Sequence, residues 1–223
     1  MKPNILYEDK SVIVCIKEPG VPVQSDLTGD LDLLTMLINH YKNKGIEEPY
    51  IGLIHRLDRP VGGLVVFGKT PRAVNHLSKQ MQKRTIRKTY LAVVEGSPDD
   101  QTLIHFLKKK FKGNVSSVVE ESVPKAKKAI MHIKRISSKT IEEKKYSLIS
   151  IKLETGRHHQ IRVQLAHIGN PIWGDTKYNK SFSEKQGWFN MALFAHEITF
   201  INPENNRHMT FETPVSVYPF DQF

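Results

Sequence analysis

Between residues 63 and 70 the sequence reads Gly-Leu-Val-Val-Phe-Gly-Lys-Thr, and this stretch limits the possible folds more than any other. It fits the G-x-x-x-x-G-K-[ST] phosphate-loop pattern literally. That motif works through a flexible loop that turns its backbone N–H groups onto phosphates. Leu64, Val65, Val66 and Phe67 would instead bury themselves, so the run reads as a buried strand. No apolar strand ending in Asp follows it as a magnesium partner, and nucleotide hydrolysis is set aside. Thr70-Pro71 then supplies an N-cap and a proline at the first helical position, opening a helix to about Gln82. Leu77 and Met81 lie on its inner face.

Short strands and a few helices alternate along the rest of the chain. Val12–Lys17 reads as a strand ended by the Pro19-Gly20 turn. Asp32–Lys44 reads as a helix with Leu33, Leu34, Leu37, Ile38 and Tyr41 on one face and Gly45 as its stop. Arg87–Glu95 is a strand closed by Gly96, and Lys145–Leu153 is the longest alternating strand. A Thr155-Gly156 turn leads into a helix from about His158 to Ile168, stopped by Gly169. Leu193–Phe200 and His208–Phe211 form a hairpin around Asn202-Pro203. There is no internal repeat, low-complexity linker or composition break. The expected architecture is α+β, a mixed sheet flanked by helices in a single domain over residues 1–223.

Composition narrows the function. No apolar run approaches the roughly 18 residues of a membrane span. Glu8 and Asp9 stand where a signal peptide would be apolar, and the single Cys15 permits neither an internal disulfide nor a cysteine-based zinc site. A cytoplasmic protein is expected. Lys plus Arg is 33 against 23 Asp plus Glu, a net charge of +10, which points to a polyanionic partner and to nucleic acid first. Lys108, Lys109, Lys110, Lys112, Lys125, Lys127 and Lys128 surround a Gly113-Asn114 pair. The stretch 103–128 therefore reads as an exposed basic hairpin or arm, or else as a solvated charged face. Among ten histidines none forms an H-x-x-x-H ligand pair, and Asp26, Asp30 and Asp32 lack calcium-loop spacing, so no metal is expected.

Three segments carry chemistry. In Ile54-His55-Arg56-Leu57-Asp58-Arg59-Pro60 a carboxylate lies between two arginines, whose charge would keep it ionised. It fits a nucleophile in a basic cleft or an ordinary structural ion pair. Glu154-Thr155-Gly156-Arg157-His158-His159-Gln160-Ile161-Arg162 gathers donors at a turn and helix start, where the helix dipole also favours anions. Arg87–Gly96, as a strand, places Lys88, Tyr90 and Ala92 on one face, with Tyr90 either a platform for an unstacked base or part of the core.

Taken together, H-R-L-D, K-x-Y-x-A-x-x-x-G and T-G-R-x-H-Q-I-R resemble the RluA-type RNA pseudouridine synthase family. Tyr7-Glu8-Asp9 through Pro19-Gly20, Gly169–Asp175 with Tyr178, and Leu193–His196 are similar to further segments of that family, so the resemblance spans nearly the whole chain. It implies a pseudouridine synthase fold: a long, mixed, mostly antiparallel sheet flanked by helices, with a central RNA-binding cleft. It also implies isomerisation of uridine within RNA with no metal, nucleotide or organic cofactor; the expected substrate is structured ribosomal or transfer RNA, and the expected state is a monomer. A non-catalytic RNA-binding or RNA-folding protein on the same scaffold is the alternative.

By position the resemblance makes Asp58 the essential aspartate, Tyr90 the residue stacked on the target uracil and Arg157 the partner of Asp58. Arg56 matches an arginine near the flipped nucleotide, and Ile161 an apolar residue lining the base pocket. His55, Arg59, Lys88, His159, Gln160 and Arg162 complete the expected RNA-binding set. A hydrolytic glycosidase typically uses two carboxylates; here the base never leaves, so one nucleophile in a closed pocket can suffice. Relatives commonly carry Thr-Ser-Gly after the aspartate, where this chain has Pro60-Val61-Gly62-Gly63, and Glu18 is inserted between Lys17 and Pro19. The family pattern begins by residue 5, so no separate N-terminal RNA-binding domain is expected and RNA choice falls to the catalytic domain, with 103–128 as the candidate region.

Overall fold

The computed structural model describes residues 2–25, 28–110, 113–185 and 189–223. Lys112 of the basic run and Asp26 of the acidic trio lie outside the described residues. In chain order the elements are β1 (Asn4–Glu8), β2 (Val12–Lys17), α1 (Leu33–Lys42), β3 (Gly52–Leu53), β4 (Gly62–Gly68), α2 (Pro71–Gln82) and β5 (Arg87–Glu95). There follow β6 (Gln101–Lys109), β7 (Ser116–Val119), β8 (Lys127–Ile141), β9 (Lys144–Leu153), α3 (Gln160–His167), α4 (Lys180–Ser183), β10 (Leu193–Ile201) and β11 (His208–Glu212). They divide into two compact units, Met1–Lys88 with Ala195–Pro214, and Thr89–Phe194 with Val215–Phe223. The content is α+β, with few helices.

In the first unit β2 pairs antiparallel with both β1 and β4, β3 adds to β4, and β10 pairs with β11. The phosphate-loop look-alike is strand β4, buried at every position. Its side chains alternate: Leu64 and Val66 join Val12, Val14, Leu77, Ile198 and Phe200 in one cluster, while Val65 and Phe67 are fully buried on the other face. Removing such side chains from water favours the strand by roughly 1.5–3 kcal/mol each, and a phosphate loop would forgo this. Helix α2 begins at Pro71 with the Thr70 hydroxyl accepting from Ala73 N–H at 3.1 Å, as the sequence indicates. Helix α1 starts one residue after the expected Asp32, because Asp32 is its cap and accepts from Thr35 N–H at 3.0 Å and from the Thr35 hydroxyl at 2.7 Å.

In the second unit the order is β5-β9-β8-β6-β7, every pair antiparallel. The expected basic arm is largely sheet: Leu103 and Leu107 of β6 are buried, and β6 is held between β7 and β8. What the pairing does is gather the lysines. Leu107 faces Lys127, Phe106 faces Lys128, and Lys108 and Lys109 face Ser117 and Ser116, so both lysine groups reach one end of this sheet. Helix α3 packs Val163 against Leu107 and Ala129. It starts at Gln160, two residues later than expected, because His159 takes a left-handed φ of +54°. Among the described residues no helix is long and apolar enough to cross a membrane.

Candidate active site

In the first unit, the His55–Pro60 segment leads into β4 and is fastened to the end of β2. Lys17, the last residue of β2, is 1% exposed, and its Nζ donates to the carbonyl oxygens of Glu18 (3.0 Å), Val21 (2.7 Å) and Arg59 (3.0 Å). Gly20 N–H donates to the same Arg59 carbonyl at 2.9 Å, and Arg59 Nε returns a bond to Gly20 O at 2.9 Å. Val61 N–H donates to Asp58 O at 2.9 Å, closing a tight turn around the half-buried Asp58. The Asp58 turn and the Pro19-Gly20 turn are thus one cross-bonded structure.

The charged groups of this segment reach several neighbours. Arg59 directs its guanidinium to Thr28 Oγ1 at 3.0 Å and to the Asp30 carboxylate, while Arg56 is exposed. A buried cation sharing its field with Asp58 is Lys17. Burial pushes its ammonium down to about 7, opposed by the carboxylates of Asp58 and Glu18. Sequence reasoning missed it as a site residue, because a lysine at a strand end ordinarily reaches solvent. The available signal was its place just before the Pro-Gly turn.

His55 is buried, and its Nε2 accepts from Val66 N–H at 3.2 Å, which puts the ring proton on Nδ1. Burial and the neighbouring Lys88 push it well below the usual histidine range, so it stays neutral and supports β4. Lys88 is pushed to about 8 by burial.

The second unit holds the other expected residues. Tyr90 lies on β5 opposite Ile151 and is 6% exposed. Arg157 sits on a turn built by Gln160 and Thr155. Gln160 Oε1 accepts from Arg157 N–H at 3.0 Å and from the Thr155 hydroxyl at 2.7 Å. Gln160 Nε2 donates to Ile130 O at 3.1 Å, and Thr155 Oγ1 accepts from Ile130 N–H at 2.8 Å. The turn is therefore stitched to β8, and Arg157 Nε itself reaches Lys128 O at 2.9 Å.

Ile161 is buried at the start of α3. Arg162 is also buried and grips Asp175 with two bonds, Nε to Oδ2 at 2.8 Å and NH2 to Oδ1 at 2.7 Å. Asp175 Oδ1 accepts further from the backbone N–H groups of Lys177 (2.9 Å) and Tyr178 (3.2 Å). Gln160 and Arg162 thus organise the motif turn and the segment after α3. His159 is buried beside Arg162, and burial and that cation push it down to about 2.

The family model for RNA pseudouridylate synthase matches residues 11–167. Ribosomal large subunit pseudouridine synthase D of Buchnera aphidicola subsp. Schizaphis graminum is 32% identical over 221 residues, covering 93% of this chain and 68% of that protein. Ribosomal large subunit pseudouridine synthase C of the same organism is 30% identical, covering 96% of this chain and 68% of that protein. Among solved structures, human RNA Pseudouridylate Synthase Domain Containing 1 has the same fold, with a TM-score of 0.82 at 20% identity over 98% of this chain and 86% of that one. With its H-R-L-D turn, its T-G-R-x-H-Q-I-R helix start and these matches, the chain belongs to the RNA pseudouridylate synthase family, whose members isomerise uridine to pseudouridine within RNA.

Proposed function

We propose that the chain modifies uridine in ribosomal RNA, with Asp58 as the carboxylate that attacks the target nucleotide or its base. The observation that carries this reading is the clamp on the Asp58 turn. Lys17 and Gly20 both bond the Arg59 carbonyl, so the residue beside Asp58 is held by two donors from another segment. A preorganised carboxylate needs no reorganisation at the moment of reaction. The names of the relatives support ribosomal RNA as substrate, and the net charge of +10 suits a polyanion.

The reaction breaks N1–C1′ and forms C5–C1′; N1 gains a proton and C5 loses one. The target uridine is flipped out of its stack, at a cost of a few kcal/mol that is least in a loop or open site. Tyr90 stacks on the uracil, and Arg157 supplies cationic charge to the reaction. Arg56 and Lys88 make contacts to the flanking RNA, whereas His55 and Arg59 position the segment around Asp58, and Gln160 and Arg162 position the turn and helix start that carry Arg157.

The test uses ribosomal and transfer RNA carrying tritium at uridine C5, with unaltered protein and with Asp58→Asn. Release from ribosomal RNA by the unaltered protein alone is expected. Release by Asp58→Asn at the wild-type rate removes Asp58 from its role, and release from transfer RNA alone overturns the substrate.

A further inference from the structure

His158 occupies the position that the T-G-R-x-H-Q-I-R pattern leaves open, and it is the residue that reaches the basic hairpin. Its Nε2 donates to Asn114 Oδ1 at 3.1 Å, and its Nδ1 accepts from the Ser116 hydroxyl at 2.9 Å. The His159 ring stacks on it, centroids 3.8 Å apart. Tyr178 adds a second tie: its hydroxyl accepts from Ser116 N–H at 2.7 Å and donates to His159 Nδ1 at 2.8 Å. Lys177 Nζ reaches Asn114 O at 3.3 Å. Three side chains from the 158–178 stretch, His158, Lys177 and Tyr178, thus converge on two residues at the β6–β7 connection. Ser116, bonded by two of them, pairs directly with Lys109 in the ladder.

We propose that His158 and Tyr178 are positioning residues that fasten the lysine-bearing β6–β7 hairpin to the turn carrying Arg157, so that RNA phosphates held by Lys108 and Lys109 keep that turn in register with the target nucleotide. This rests on the reading of the site as an RNA-modifying one. The turn is then held on both sides, by β8 through Arg157, Thr155 and Gln160, and by the hairpin through His158. Neutral hydrogen bonds at a half-exposed position contribute little net stability, because water offers nearly the same bonds to the unfolded chain. They do fix geometry, and small displacements of catalytic groups are costly to rate.

Tyr178→Phe keeps the ring that Arg162 stacks on and removes only the shared hydroxyl; His158→Ala removes the other tie. For both, kcat and KM on substrate RNA, the salt dependence of RNA binding and the melting temperature are measured. The expected result is a fall of roughly ten- to a hundred-fold in kcat/KM. The salt slope should be shallower by about one, with a nearly unchanged melting temperature. Wild-type kcat/KM with an unchanged slope overturns the proposal, as does a lower melting temperature accompanied by unchanged kinetics. Should either variant fail to fold, Ser116→Ala removes only the bond to His158 and is read the same way. Absence of tritium release by the unaltered protein overturns the reading of the site, and the salt slopes still report on the latch.

Discussion

Lys17 Nζ lies 3.0 Å from the carbonyl oxygen of Arg59, forty-two residues away in the chain, and so ties the strand end at β2 to the residue after Asp58. Lys17→Met should keep the volume of the stem and lose all three carbonyl bonds. The Asp58 turn then keeps the reciprocal Gly20–Arg59 pair. A fall in kcat/KM of roughly ten- to a hundred-fold is expected from the loosened carboxylate. Steady-state tritium release with Lys17→Met at the wild-type rate would show that the Gly20–Arg59 pair is clamp enough.

The same lysine makes stability depend on pH. Its ammonium titrates near 7 in the folded chain against 10.5 for an ordinary lysine. Between those values the unfolded chain holds the proton and the native chain does not, so stability rises with pH. The slope reaches up to about 1.4 kcal/mol per pH unit. Below the folded value both states are protonated and the contribution is flat. Lys88, pushed to about 8, acts in the same direction, so the observable is the difference between unaltered protein and Lys17→Met. Urea unfolding of both from pH 7 to 10 should show a difference that grows with pH; a constant difference would place the Lys17 proton on the native chain throughout.

Local signals made most of the fold legible. The Thr70 cap and Pro71 fix the start of α2, and Gly96, just after β5, has a φ of +81°. Alternation on β9 and burial along β4 follow from side-chain periodicity. Where the sequence reading fell short, the missing information was non-local. Periodicity says which face a residue takes but not which partner it meets. Arg59 reads as a neighbour of Asp58, and the sequence does not show that its guanidinium also reaches Thr28 and Asp30. Lys17 reads only as the last residue of a strand, and nothing local shows that carbonyls from two turns surround it. Arg162 reads as an RNA contact because helix starts favour anions, and the anion it finds is Asp175, thirteen residues on.

Gly63 shows how closely the region after the aspartate is packed. It has φ +114°, and an added Cβ would sit 2.3 Å from Ala195 O and 2.5 Å from Ala195 N. Both obstacles are backbone, so neither can swing away. Gly63→Ala should therefore destabilise by roughly 2–4 kcal/mol, combining backbone strain and overlap. Gly29 provides the comparison, with φ +73° and nothing within 4 Å of an added Cβ. Gly29→Ala should cost only about 1 kcal/mol. Equal urea midpoints for the two variants would refute the close approach at Gly63.

Arg162 and Lys109 separate a positioning cation from an RNA-contacting one. Arg162 is 4% exposed with its fork on Asp175, so Arg162→Met leaves a buried carboxylate without its counter-ion. That should destabilise by roughly 3–5 kcal/mol, while the salt slope of RNA binding stays as it was, because no phosphate contact is lost. Lys109 is exposed at the end of β6. Lys109→Met should leave stability within about 0.5 kcal/mol and make the salt slope shallower by about one. The two variants therefore move different observables, urea midpoint for one and salt slope for the other. A shallower slope with unaltered unfolding for Arg162→Met would return Arg162 to the residues that touch RNA, and would mean that its pairing with Asp175 opens when RNA binds.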